Sequence, residues 1–308
     1  MSNSTNYIYV IAKWRFYGKL LVPTSKTNLF QTIGKKKKIT DYASLTQGEP
    51  DFGISSKPSI LTLKLKISKK DDALKTIFEF TEKFLTTMLL SANIDALTKH
   101  PPITKRVDPS TTNVANFILA KGFRKKKHWQ PVDHFALGHS LISGTTIEGY
   151  AILTDNVVNQ IKNYSKNITN LCKNEKKSVE LYKIGSKLMY LWRMGAFLSF
   201  YKIIEIYLES EYKNIILQDY RTKLNFQGNN RSLWRCISGI QRMEWICKHL
   251  HYFSTIHKLE SKRRRRLIRG LPKLRNSISH PDRIPDVDSD SLNECRQLSK
   301  FLIDIHLV

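Results

Sequence analysis

From Thr154 almost to the C-terminus, apolar residues return every three or four positions while glycine and proline become sparse. That period belongs to a helix with one buried face, so this half of the chain has to fold as helices packed on one another. Within 181–208, Leu188, Leu191, Trp192, Phe197, Leu198, Tyr201, Ile204, Ile206 and Leu208 cover nearly the whole circumference, which predicts a helix buried on several sides. Further helices are expected at about 232–248, 252–269 and 272–280, with Pro272 tolerated in a first turn. The last is expected at about 291–306, where Ser291 and Glu294 read as a capping box and Leu292, Cys295, Leu298, Leu302 and Ile305 form a stripe. Four or five such helices make an all-α bundle over residues 154–308, and the lack of a fixed-period repeat argues against a solenoid.

The first 153 residues have a different texture, that of a mixed strand and helix domain, so the chain as a whole reads as α+β. Residues 7–22 alternate loosely around Gly18 and predict two strands joined by a turn. The stretch 24–58, with Gly34, Gly48, Pro50, Gly53, Pro58 and the run Lys35–Lys38, reads as a long loop. Residues 59–67 alternate cleanly and predict a strand with one solvent face. An amphipathic helix follows, with Asp71 and Asp72 in its first turn and Ala73, Ile77, Phe80, Phe84 and Met88 on one side. Residues 121–131 read as an exposed basic loop, and 135–152 as one or two further strands.

Charge narrows the partner. Among 308 residues, 51 Lys and Arg against 26 Asp and Glu leave +25, which favours a polyanion, and nucleic acid before others. Cys172, Cys236, Cys247 and Cys295 form no CxxC pair, which argues against a zinc ribbon or disulfide scaffold and for a reducing compartment. The apolar stretch 7–12 is interrupted by Lys13 and Arg15, too short for a signal-peptide core, and no run approaches the roughly 20 residues of a membrane span. A cytoplasmic protein without membrane partners is the expectation.

The segment that carries chemistry is Leu271-Pro-Lys-Leu-Arg275-Asn276-Ser-Ile-Ser-His280-Pro281. An Arg followed by Asn, three further residues, then a His before Pro resembles the signature of the HEPN superfamily. The resemblance covers roughly 181–308: the motif lies on the penultimate helical element, a final amphipathic helix follows, and the run from Phe197 to Leu208 is similar to the long HEPN helix that carries a polar residue facing the motif, here Glu205. Arg242 and His249 satisfy the bare spacing too but lack the Asn, the His-Pro terminus and the trailing helix. The resemblance implies a metal-independent endoribonuclease, a homodimer through the helical domain with two motifs facing each other, and a toxin or antiviral defence role with a possible antitoxin or sensor partner. Arg275, His280, Asn276 and Glu205 would then be its catalytic residues.

The residue chemistry stands beside that resemblance. A guanidinium forks onto phosphate oxygens and neutralises charge that builds in a transition state, and an imidazole exchanges protons near neutral pH. Together they suffice, with neither metal nor cofactor, for attack of a ribose 2′-OH on the adjacent phosphate, which requires RNA. On a regular helix five positions rotate Arg275 and His280 apart by about 140°, so a helix ending at His280 or a second subunit would be needed to bring them together. Two structural readings stay open: His280 as a helix terminator before Pro281, and Arg275 as the partner that a carboxylate on an apolar helix needs.

The adjoining cations Lys262, Arg263, Arg264, Arg265, Arg266, Arg269 and Lys273 are the expected RNA-binding set, with no acidic residue between 262 and 275. Four consecutive arginines on a helix point all around, so some of them are solvated whatever the function. Lys35–Lys38 and Arg124–Lys127, with Trp129 as a stacking surface, would extend the basic track or serve as solvated loops. Walker, GxGxxG, HExxH and GxSxG patterns are missing, and His128, His134 and His139 lack the spacing of a zinc site. A non-catalytic RNA- or DNA-binding scaffold is the alternative to the nuclease.

Overall fold

The computed structural model describes residues 7–16, 20–21, 36–46, 59–68, 73–91, 117–118, 123–125, 128–130, 136–137, 151–152, 155–189, 191–254, 258–279 and 286–307. The chain divides into two compact units, Met1–Thr169 and Asn170–Val308. The first combines strands with helices; in the second every regular element among the described residues is a helix.

The first unit is organised by an antiparallel sheet. Strands β1 (Tyr7–Phe16), β2 (Leu20–Leu21), β3 (Lys36–Lys38), β4 (Ala43–Thr46), β5 (Ser59–Ser68), β6 (Phe117–Ile118), β7 (Phe123–Lys125), β8 (His128–Gln130), β9 (Ala136–Leu137) and β10 (Ala151–Ile152) occur in that order. Six of them form one sheet, β3-β4-β5-β1-β7-β8. Its spine is the ladder from Tyr7 opposite Ser68 to Phe16 opposite Ser59. The alternation in β5 follows the sequence over most of its length: Leu61, Leu63, Leu65 and Ile67 are buried while Lys64 and Lys66 are exposed, but Thr62, on the same face as the lysines, is buried too.

Three local expectations are overturned. β1 and β2 do not form a hairpin: β1 pairs with β5 and β7, and β2 pairs in parallel with β10, because the ten-residue ladder with β5 satisfies far more backbone than a short turn could. The stretch 24–58, which the sequence reads as a long loop, contains β3 and β4. They are joined by a tight turn in which Thr40 Oγ1 accepts the Ala43 N–H at 3.0 Å, a hydroxyl replacing the glycine that sequence rules look for. The stretch 121–131 likewise holds the β7–β8 hairpin, with Arg124 opposite Trp129.

Helix α1 (Ala73–Ser91) packs on β5 and on α2 (Asp155–Asn167). Ile77, Phe84 and Met88 are buried, and the buried Thr81 hydroxyl donates a hydrogen bond to the Ile77 carbonyl at 2.7 Å. The expected acidic first turn at Asp71 and Asp72 lies outside the described residues. Helix α2 packs on α1 and groups with the first unit, which runs to Thr169.

The second unit holds α3 (Lys173–Leu188), α4 (Arg193–Ser210), α5 (Lys213–Leu224), α6 (Asn230–Cys236), α7 (Gly239–His249), α8 (Lys258–Ser279) and α9 (Ser289–Leu307). α4 touches α3, α5, α8 and α9. This explains an element apolar on all sides: Phe197, Phe200, Ile203, Ile204 and Tyr207 are each at most 1% exposed. Facing them, α9 presents Cys295, Leu298, Leu302 and Ile303.

Helix boundaries differ from the sequence reading where caps or close packing intervene. The span 181–208 is shared between α3 and α4, and Trp192, the residue before α4, is extended (φ −152°, ψ 90°); Leu191 and Trp192 are exposed instead of core. The span 232–248 is split by Ser238, whose hydroxyl accepts the Gln241 N–H while Gln241 caps in return. Conversely, 258–279 is one continuous helix with Pro272 inside it. Pro272 is buried against α7, where an added Cβ on Gly239 would lie 3.1 Å from the Pro272 ring, and this packing offsets the missing N–H. The last helix starts earlier than expected. Its cap is Asp288, whose Oδ1 accepts the Ser291 N–H at 2.7 Å, and Glu294 serves elsewhere.

Candidate functional site

Helix α8 sorts its cations by face. At 100° per residue, Arg264, Ile268, Leu271, Pro272 and Arg275 fall on one side, and all are buried or half-buried. Lys262, Arg266, Arg269, Lys273 and Asn276 fall on the opposite side, and all are exposed. The helix therefore carries two inward arginines and one outward basic stripe.

Each inward arginine meets a carboxylate from a neighbouring helix. Arg264 Nε donates to Glu294 Oε2 at 2.8 Å with side chains 10% and 4% exposed, and its Nη2 donates to the Tyr252 hydroxyl, which donates to Glu294 Oε1 at 3.1 Å. Burial pushes the Glu294 carboxyl up, against the pull of Arg264 and Tyr252. Arg264, expected to grip RNA, is thus committed to the core, because a carboxylate beside the α9 apolar stripe needs a buried cation.

Arg275 is placed differently. Its Nε donates to Glu205 Oε1 on α4 at 3.1 Å, while Lys202 donates to the other oxygen at 2.9 Å. The side chains are 36% and 25% exposed. Arg275 Nη1 and Nη2 have no hydrogen-bond partner among the described residues, so the edge of the fork that suits two phosphate oxygens is not occupied by them. Burial, and then the Glu205 charge, push the nearby Tyr201 hydroxyl up, so it keeps its proton throughout the physiological range.

The remaining expected site residues are dispersed. Asn276 is exposed on the outward face, away from Arg275. His280 lies outside the described residues, directly after the end of α8 at Ser279. Arg263 pairs with Asp290 at 2.5 Å and approaches Glu260 at 3.8 Å. Arg265 lies over the Phe253 ring at 4.5 Å, and Arg269 pairs with Glu244. Lys262, Arg266 and Lys273 have no ion-pair partner among the described residues.

The rival pair is taken apart by its contacts. Arg242 lies 3.8 Å over the Trp234 ring and donates to the Trp234 carbonyl, while His249 stacks on Trp245 at 4.3 Å. Sequence spacing could not show these contacts, nor that Tyr201 neighbours Glu205 and Arg275. Among the described residues, no helix is long and apolar enough to cross a membrane, and no three His, Cys, Asp or Glu side chains are grouped to hold a metal ion. Comparison with models of protein families, with curated proteins and with solved structures finds no match to this chain.

Proposed function

We propose that the chain is a metal-independent endoribonuclease of HEPN type, acting at the Arg275 end of α8. The observation that carries this reading is the pose of Arg275: Nε is docked on Glu205, while Nη1 and Nη2 are left without a described protein acceptor on a side chain 36% exposed. Arg264, by contrast, has its Nε and Nη2 both answered and its side chain only 10% exposed. The free edge takes two oxygens of the scissile phosphate and neutralises the charge that builds as the 2′-oxygen attacks phosphorus. His280 takes the 2′-hydroxyl proton or protonates the departing 5′-oxygen, the other transfer falling to the second copy's His280 or to water, so the P–O5′ bond breaks and a 2′,3′-cyclic phosphate remains. A second copy of the helical unit brings its own motif to the site, and the biological setting is that of a toxin or antiviral defence effector.

A second reading, a non-catalytic RNA- or DNA-binding bundle, is favoured by one observation: the exposed stripe of Lys262, Arg266, Arg269 and Lys273 is on the opposite side of α8 from Arg275. Phosphates gripped by the stripe are therefore not the one held by Arg275. The experiment that separates the readings is incubation of the full chain with mixed RNA in EDTA, beside His280→Ala. Cleavage with cyclic phosphate ends that disappears in the variant supports the nuclease. Equal cleavage by both proteins, or none by either with RNA still bound, leaves the binding protein.

A further inference from the structure

We infer that the groove between α5 and α7 binds one unpaired nucleotide of a single-stranded polynucleotide, its base stacked on His249. This deepens the reading that the chain acts on RNA and rests on it. The groove encloses about 610 Å3 and is lined by Asp219, Lys223, Trp245, Lys248, His249 and His251 among others. Nothing in the proposed cleavage chemistry uses it.

The groove is built around a fixed pair of rings. Asp219 Oδ2 accepts the Trp245 Nε1–H at 2.8 Å and also the Lys223 ammonium, so a carboxylate on α5 holds the indole of α7 by its edge. One turn further on, the His249 ring lies parallel to the indole, 15° between planes and 4.3 Å between centroids. Trp245 is half-buried and His249 exposed, so the stack ends in a flat aromatic face at the groove. Every base offers a π-face to such a platform, whatever its identity.

The charges around the stack suit a sugar-phosphate chain. Lys223 is answered by Asp219, but Lys248, next to the platform residue, is exposed with no ion-pair partner among the described residues. His251 also lines the groove, held in the left-handed region at φ 54°. A flat ring flanked by an ammonium is the pairing that single-strand binders use, stacking for the base and charge for its phosphate. Paired bases are excluded because their faces are already covered within the duplex.

The test uses the full chain carrying His280→Ala, so that the RNA stays intact if the nuclease reading holds. Fluorescence anisotropy of labelled oligouridine, oligothymidine and a duplex DNA is compared for this protein and for versions with His249→Ala or His249→Phe. Expected is an about tenfold loss for both single strands with Ala, retention with Phe, and little change for duplex. Equal affinity of the Ala and unaltered proteins for single strands, an equal loss for duplex, or a Phe version as weak as Ala would overturn the proposal. RNA cleavage by the protein without these substitutions is scored separately, so failure of the nuclease and failure of the groove are read from different measurements.

Discussion

Arg264 and Glu294 meet at 2.8 Å between α8 and α9 with less of either side chain exposed than of any other ion pair among the described residues. Within a tract that reads as solvated arginine, this one ties two helices together. Removing one partner strands the other charge in the core. Arg264→Ala is expected to cost about 3–5 kcal/mol, whereas Arg264→Met with Glu294→Leu costs far less. Urea denaturation of the three proteins checks this; a double variant as unstable as the single would show that packing, not the stranded charge, sets the loss.

Gly185 on α3 is covered by Phe200, and an added Cβ would lie 2.7 Å from that buried ring. Alanine improves helix propensity by about 1 kcal/mol, but overpacking costs about 1–3 kcal/mol. Gly185→Ala is therefore expected to lower the thermal midpoint, and Phe200→Leu in the same chain to recover part of it.

Asp288 caps α9 through the Ser291 N–H. Partial burial works to raise its carboxyl, but the bonds from Ser291 outweigh this and hold it below its ordinary 3.8. Both states are ionised above that value, so the cap's contribution is complete there and is lost as pH falls through the lower folded-state value. Asp288→Ala should cost about 1 kcal/mol at neutral pH. Stability curves of the two proteins against pH should converge below 3.8.

Glu205 positions Arg275 through one acceptor oxygen, which glutamine also has. With both groups partly exposed, Glu205→Ala is expected to cost no more than about 1 kcal/mol of stability. RNA cleavage should fall by about tenfold or more in kcat while glutamine retains most of it. Single-turnover rates for the two variants decide; a glutamine variant as slow as alanine would remove the positioning role.

On the proposed reading, the outward stripe of α8 is expected to set the salt dependence of RNA binding. Lys262→Ala, Arg266→Ala and Lys273→Ala are each expected to reduce the slope of log affinity against log salt by about 1, for every RNA sequence alike. Arg264→Ala, measured while folded, should leave the slope unchanged because its charge is already answered.

Much of the architecture was readable residue by residue. The two-residue alternation from Leu61 to Ile67 and the all-round apolar surface of α4 predicted their own burial. Boundaries were less readable: Ser238 and Asp288 each decide a helix start through one side-chain oxygen, and many serines and aspartates could do the same. Glu294 stands four residues before the core residue Leu298, a spacing that places a carboxylate beside the apolar stripe, and this was the available sign that it needs a buried partner.

The sequence by itself determined which segments had to bury a face and that the chain carries a surplus of 25 positive charges, because periodicity and composition are properties of the chain alone. Only the tertiary structure decided which arginines are spent inside. Arg264 and Arg275 lie eleven positions apart on the same inward side of α8, yet one is sealed by Glu294 and Tyr252 and the other is left partly open beside Glu205. The physical reason is that a charge's role depends on which carboxylates and how much water surround it in space, and these partners come from helices 30 and 70 residues away.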